Sequence, residues 1–187
     1  LSAIPNMTLM APRDEKSMHE ALQYSYTHKG PLAIRYPRGS FIDDASFESI
    51  PFVYGKGQIL KEAKTSIALL GYGSGVGKAI EVARLLEEDG IDVALIDLRF
   101  VKPLDEALLQ DVATRYAQWY VISESAKIGG VGSLLQMMKE EKDLHVKIKS
   151  FEYDDHFITH GATPLIEKRL GIHTEQLSEY IKKEFIN

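Results

Sequence analysis

The 187-residue sequence contains no cysteine. That absence removes disulfide frameworks, thiol nucleophiles and cysteine-ligated zinc or iron-sulfur sites, and it agrees with a reducing compartment. Long hydrophobic runs are missing too. Although 44% of the residues are apolar, no run approaches the roughly 18 residues of a membrane-crossing helix, and no membrane association is expected. Nor is positive charge in excess. Lys and Arg number 22 against 27 Asp and Glu, a net charge of -5, which leaves no electrostatic footprint for a phosphate backbone and no expectation of nucleic acid as a partner. The chain opens Leu1-Ser2-Ala3-Ile4-Pro5-Asn6, without an initiator Met or the charged and apolar regions of a signal peptide, so the expectation is a piece of something longer.

What is present reads as alternating strands and helices. Met7 to Ala11 is a short apolar run stopped by Pro12, and Asp14 suits the N-cap of a helix starting at Glu15-Lys16. Met18, Ala21, Leu22 and Tyr26 recur at helical spacing and predict its apolar face; Lys29-Gly30-Pro31 should end it. Leu32 to Tyr36 reads as a second strand, broken by Pro37-Arg38-Gly39-Ser40, and the aperiodic stretch from Phe41 to Pro51 reads as a connection. The predicted division is 1–45 as the end of one α/β domain, 46–58 as a linker and 59–187 as a second domain.

In the second domain, Thr65 to Gly71 has the composition of a strand covered on both faces. A glycine-rich turn follows, then a helix carrying Ala79, Ile80, Val82, Ala83, Leu85 and Leu86, then a strand within Ile91 to Leu98. Such a βαβ unit pairs its strands in parallel through a right-handed crossover. Pro103 and Asp105 open a helix with Leu108, Leu109, Val112 and Ala113; Trp119 to Ile122 is a third strand. Gly129-Gly130-Val131-Gly132-Ser133 precedes a helix with Leu134, Leu135, Met137 and Met138 mainly inward, Val146 to Phe151 is a fourth strand, and helices near Pro164 to Leu170 and Thr174 to Phe185 finish the chain. The expected fold is therefore α/β in three layers, a mostly parallel sheet with helices on both faces, preceded by a strand-helix-strand remnant of a second α/β domain.

Several clusters are candidates for chemistry. Gly71-Tyr72-Gly73-Ser74-Gly75-Val76-Gly77 stands between strand and helix, where a phosphate loop would be. Val76 replaces the last glycine of G-x-G-x-x-G, and Ala79 follows Gly77-Lys78 where a P-loop needs Ser or Thr, so a tight turn for close helix packing is the plainer reading. Asp97, about 20 residues on, could mimic a ribose-binding acid. Arg35-Tyr36-Pro37-Arg38-Gly39 is the most unusual stretch: two guanidinium groups leave the end of a strand, where open α/β sheets bind ligands, and their planar forks suit a phosphate. Three residues apart in extended chain, they point to opposite sides, so at most one faces a given pocket; a surface ion pair is the alternative.

The remaining signals are weaker. His19, His28, His145, His156, His160 and His173 form no compact ligand spacing, and no metal site is predicted. Asp154-Asp155-His156 with His160 could do acid-base work, although at the entry to a helix capping is the first reading. Ser74, Ser123 and Ser133 lack a nucleophile elbow. Glu124 is either an interface or site residue or a cap for the helix that follows it.

Taken in order, Met10-Ala11-Pro12-Arg13-Asp14-Glu15, Ala33-Ile34-Arg35-Tyr36-Pro37-Arg38-Gly39, Asp97-Leu98-Arg99-Phe100-Val101-Lys102-Pro103-Leu104-Asp105, Gly129-Gly130-Val131-Gly132-Ser133 and Phe157-Ile158-Thr159-His160-Gly161 carry a resemblance. Together they resemble the C-terminal part of the 1-deoxy-D-xylulose-5-phosphate synthase family, from the end of its pyrimidine-binding domain through its transketolase-type C-terminal domain. The resemblance implies part of a cytoplasmic, bacterial, homodimeric transferase. That enzyme condenses pyruvate with D-glyceraldehyde 3-phosphate, releases carbon dioxide, and feeds isoprenoid and thiamine synthesis. It uses thiamine diphosphate and Mg2+. The Arg of Tyr-Pro-Arg-Gly, here Arg38, is implied to bind the phosphate of the aldehyde acceptor. The cofactor loop and the activating glutamate of the family lie upstream of this chain, so no catalytic, cofactor or metal residue is expected within it and the fragment alone should be inactive. Ser123-Glu124-Ser125 stands where the family usually has Glu-Glu-Asn, Ser40 where Asn is frequent, and Asp154-Asp155-His156 where Leu-Pro-Asp is usual. Competing readings are transketolase itself, a 2-oxo acid dehydrogenase β subunit, or a dimerisation module without catalysis.

Overall fold

The computed structural model describes residues 1–37, 39–42 and 46–186. In chain order the elements are β1 (Thr8–Met10), α1 (Glu15–Thr27), β2 (Leu32–Ile34), β3 (Gln58–Lys61), β4 (Ile67–Gly71), α2 (Ser74–Glu88), β5 (Ala94–Asp97) and β6 (Phe100–Lys102). They continue with α3 (Glu106–Arg115), β7 (Gln118–Ala126), α4 (Val131–Glu141), β8 (Lys147–Tyr153), α5 (Thr163–Leu170) and α6 (Thr174–Ile186).

The larger sheet has the order β3-β5-β4-β7-β8, with β5, β4, β7 and β8 parallel and β3 antiparallel along β5. All five residues of β4 are buried, as a central strand between two helical layers must be. Strand alternation divides the core. Ala68, Leu70, Trp119 and Val121 face α3 and α4 through Leu109, Val112, Leu135 and Met138. Leu69, Tyr120 and Ile122 face α2 and α6 through Val82, Leu86, Leu177 and Ile181. Each fully buried aliphatic side chain is worth about 2 kcal/mol, and burial on both faces pins the register, because a slip of one residue would exchange the two faces. The three-layer α/β architecture is as expected.

The smaller sheet, β2-β1-β6, pairs β1 with β2 in parallel and with β6 antiparallel. Met10 and Phe100 point to a small core with Ala21 of α1 and Phe52, while Leu9 and Val101 pack against the larger core. β3 and β6 are strands that sequence pattern did not announce. β3 has only four residues, all half-buried. β6 follows at once on Arg99, whose φ of 52° turns the chain sharply out of β5. The segment from Asp97 to Lys102 thus leaves one sheet and joins the other.

Two expected faces are corrected. On α1 the buried residues are Ser17 and Ala21, whereas Leu22 and Tyr26 are exposed. The small sheet covers only the side of the helix that also carries Tyr24, which meets Phe52 and Phe100. On α4, Leu135 and Met138 are buried but Met137 faces out, one position round from the stripe that meets the sheet.

Candidate functional site

Open α/β sheets present ligand-binding groups at the carboxyl ends of their strands, and a charged cluster gathers there. Arg35 follows β2 and donates from Nη2 to Glu124 Oε2 at 3.1 Å. The other carboxylate oxygen of Glu124, Oε1, lies 3.5 Å from Lys78 Nζ on α2, and Lys78 also pairs with Glu167 of α5. Four elements therefore meet through one chain of alternating charges. Burial raises the Glu124 carboxyl, but Lys78 and Arg35 outweigh it and hold the group below its ordinary value. Burial likewise disfavours the Lys78 ammonium, yet the hydrogen bond and charge of Glu167, with Glu124, raise its pKa. Tyr153, beside the cluster, has its hydroxyl pushed up, mainly by burial.

The turn before α2 serves packing. A Cβ on Gly75 would collide with the carbonyl oxygen of Ile122 and come 3.2 Å from Ser123 Cα, so the start of α2 rests directly on the end of β7. The second glycine-rich turn, before α4, encloses an internal anion. The buried carboxylate of Glu152 accepts from Gly132 N–H with both oxygens at 3.2 Å and from Ser125 Oγ at 2.6 Å. A Cβ on Gly132 would stand 2.6 Å from Glu152 Oε2 and from Ser150 Cβ. Glu152 thus takes the position at a helix N-terminus that an anionic ligand could otherwise occupy.

Asp97 does not face a ligand. It is fully buried; Oδ2 accepts from Arg13 Nη1 at 3.3 Å and Oδ1 from Arg99 N–H at 3.0 Å. The ribose-acid reading is corrected: both oxygens are committed within the protein. Arg13 also donates to Gln58 and to the carbonyl oxygens of Phe47 and Glu48, and Arg99 donates to those of Ile50 and Pro51 while covering the Phe52 ring at 3.7 Å. Burial, the larger influence, pushes the Asp97 carboxyl up to about 6 against the pull of Arg13 and Arg99.

Of the two candidate arginines, Arg35 is engaged by Glu124, and Arg38 lies outside the described residues. Glu124 does not cap α4; Gly130 occupies that position without a side-chain cap. The capping expectation for Asp154-Asp155-His156 is corrected as well. α5 begins after Ala162 with no side-chain cap, and the Asp154 carboxylate pairs with Lys127, because the segment from 154 to 162 separates it from the helix start. Ser123 and Ser125 share a hydroxyl contact of 2.6 Å, and Ser133 donates to the carbonyl of Lys127. Sequence reading missed Glu152 and Glu167, both buried acids. Their signal is faint: each is a single acid in an otherwise ordinary amphipathic segment, and its partner comes from another element.

A cavity of about 450 Å³ opens beside Arg35 between the two sheets, lined by Leu9, Ile34, Tyr72, Val101, Ser125 and Val131 among others. Among the described residues, no three His, Asp or Glu side chains stand together as metal ligands, and no helix is long and apolar enough to cross a membrane.

Comparison with known proteins places this arrangement. Residues 55–177 match the family of the transketolase C-terminal domain. The 1-deoxy-D-xylulose-5-phosphate synthase of Sulfurimonas denitrificans is 49% identical over 183 residues, which is 97% of this chain and 30% of that protein. The synthase of Campylobacter jejuni subsp. doylei is 51% identical over 170 residues, 91% of this chain and 28% of that protein. This chain therefore spans less than a third of the length of these curated relatives. Among solved structures, a split gene transketolase described as an inactive beta4 tetramer aligns with a TM-score of 0.85 at 27% identity, covering 97% of this chain and 58% of the other. A Pichia stipitis transketolase aligns with a TM-score of 0.73 at 18% identity over 97% of this chain and 25% of the other, a likeness of fold alone. With its mostly parallel sheet sandwiched by helices and most of its length matched, the chain belongs to the transketolase C-terminal domain family.

Proposed function

We propose that the chain is the C-terminal part of a bacterial, cytoplasmic 1-deoxy-D-xylulose-5-phosphate synthase. In the full-length enzyme it would serve the thiamine-diphosphate-dependent condensation of pyruvate with D-glyceraldehyde 3-phosphate, with loss of carbon dioxide, toward isoprenoid and thiamine synthesis. The observation that carries the reading is identity of about half over nearly the whole chain to proteins of that name. In this reading residues 1–45 end the pyrimidine-binding domain, 46–58 link, and 59–187 form the C-terminal domain of a homodimer. The described residues do not fit a diphosphate-magnesium site: the two glycine turns at helix starts are filled by the Ile122 carbonyl and by the Glu152 carboxylate. In this reading thiamine diphosphate and Mg2+ are held by upstream parts of the enzyme.

Arg38 is the proposed ligand of the acceptor phosphate. One lost charge-assisted contact costs about 1.5 to 3 kcal/mol. In the full-length enzyme, Arg38→Ala should therefore raise KM for glyceraldehyde 3-phosphate about tenfold or more. A KM within about twofold of wild type, well below that energy, overturns the role. Product analysis after incubation with pyruvate and glyceraldehyde 3-phosphate separates the synthase reading from transketolase and from a 2-oxo acid dehydrogenase β subunit.

A further inference from the structure

We infer that residues 47–51 form a lock between the two sheets, bound as an internal ligand by the buried side chains of Arg13 and Arg99. The inference goes beyond the proposed function and does not depend on it. Aperiodic connections usually run loosely over a protein surface. The carbonyls of this one are gripped in succession. Arg13 donates from Nη2 to the carbonyl oxygens of Phe47 at 3.3 Å and Glu48 at 2.9 Å, and Arg99 donates from Nη2 to that of Ile50 at 2.7 Å and from Nη1 to that of Pro51 at 3.1 Å. Gln58 of β3 adds a second donor to the Glu48 carbonyl at 3.3 Å.

Both arginines are arranged for this grip. Arg13 faces Asp14 with Nε at 2.8 Å, Asp97 and Gln58 with Nη1 and the segment with Nη2, so each nitrogen of its guanidinium has a partner. Arg99 is less comfortable. Its Nε is buried without an acceptor among the described residues, and its φ of 52° is a left-handed conformation that costs a non-glycine residue free energy. Such strain persists only where the surroundings over-determine it. The side-chain contacts that do so are those to Ile50 and Pro51 and to the Phe52 ring, which the guanidinium covers at 3.7 Å. An aromatic side chain anchors each end of the segment. Phe47 packs against the core on the α2 and α6 face of the larger sheet, whereas Phe52, next after Pro51, is buried with Met10, Ala21 and Phe100 in the smaller core. Arg13 precedes α1 beside the smaller sheet, Gln58 lies on β3 of the larger one, and Arg99 stands where the chain crosses from β5 to β6. Held from both sides, the segment fixes the sheets against each other and prevents a hinge at the connection.

The test uses the full-length protein that contains this chain, as wild type and as Arg99→Met and Arg99→Lys. Two rates are read under native conditions: cleavage after Glu48 by a glutamate-specific protease, identified by mass, and amide hydrogen exchange of peptides containing β1 and β4. A protease needs several residues on either side of the bond free, Ile50 and Pro51 included, so cleavage reports release of the segment. In Arg99→Met, cleavage after Glu48 and exchange in β1 should each accelerate about tenfold or more while β4 exchanges as in wild type. Arg99→Lys, which keeps the charge but lacks the fork, should fall between the two. Cleavage at the wild-type rate in Arg99→Met shows that the guanidinium does not hold the segment, and overturns the inference. Faster cleavage with unchanged exchange in β1 frees the segment without freeing the sheets and overturns it as well. Exchange raised equally in β1 and β4 is general destabilisation and counts against it in the same way. Where Arg99→Met does not fold, Arg99→Lys decides: both rates raised, with β4 unchanged, supports the lock, and any other pattern overturns it.

Discussion

Gly75 shows what a single residue contributes to the site. Its Cα hydrogen faces the carbonyl oxygen of Ile122, and the obstacle to any side chain there is backbone, which cannot swing aside as a long side chain can. Gly75→Ala should destabilise the chain by about 2 kcal/mol, within the usual range for overpacking. Gly39→Ala, where a Cβ meets nothing within 4 Å, should stay within about 0.5 kcal/mol of wild type. Urea unfolding midpoints compare the two, and equal midpoints would refute the close approach. The plain reading of Gly71 to Gly77 as a tight turn was available from the residues, since Val76 and Ala79 stand where phosphate motifs need other types. Which glycine touches what was not legible, because the opposing carbonyl belongs to β7, a distant part of the chain. Glu152 was hidden for the same reason: only folding brings it to the N-terminus of α4.

At the scale of elements, caps were readable and short strands were not. Asp14 caps α1 and Asp105 caps α3 as their positions suggested, accepting from Ser17 N–H at 2.6 Å and Leu108 N–H at 3.2 Å. Asp105 does more than cap. Its second oxygen accepts from Gly57 N–H at 3.2 Å, and Lys56 approaches the first at 3.2 Å, so it fastens the approach to β3 onto α3. Asp105→Ala loses a cap worth about 1 kcal/mol and leaves the Gly57 N–H without that acceptor, for a total of about 2 kcal/mol. Asp105→Asn keeps an acceptor and should lose less than half as much; thermal unfolding measures both, and equal losses would mean that charge rather than acceptor geometry matters. β3 and β6 escaped sequence reading because three or four residues hold too little periodicity to separate a strand from a loop. Their pairing partners, β5 and β1, decide that they are strands.

Across the whole molecule, the two sheets are joined by β6 and by the buried Arg13, Asp97 and Arg99 cluster. Arg13→Met would leave the Asp97 carboxyl buried without its side-chain partner, a loss of about 3 kcal/mol. The loss should depend on pH. Burial already raises Asp97 to about 6, and removing the guanidinium moves it higher. A raised folded-state value contributes stability that is complete below the unfolded value near 4 and is lost as pH rises through the folded one. Denaturant unfolding should therefore find the variant closer to wild type at about pH 5 than at about pH 8. A deficit equal at both values would show that removing Arg13 leaves the Asp97 carboxyl where it is in wild type, and would overturn the pairing as the source of the loss. By itself the sequence determined the α/β class, the order of the longer elements and the family resemblance around Arg38, because those rest on local periodicity, caps and contiguous motifs. Tertiary structure alone decided that Asp97 is a strut between two sheets, that Glu152 fills a helix N-terminus, and that Glu124 grips Arg35. Each is a pairing of groups far apart in the chain, and whether such a carboxylate is a ligand, a cap or a strut depends on which partners folding carries to within hydrogen-bond reach.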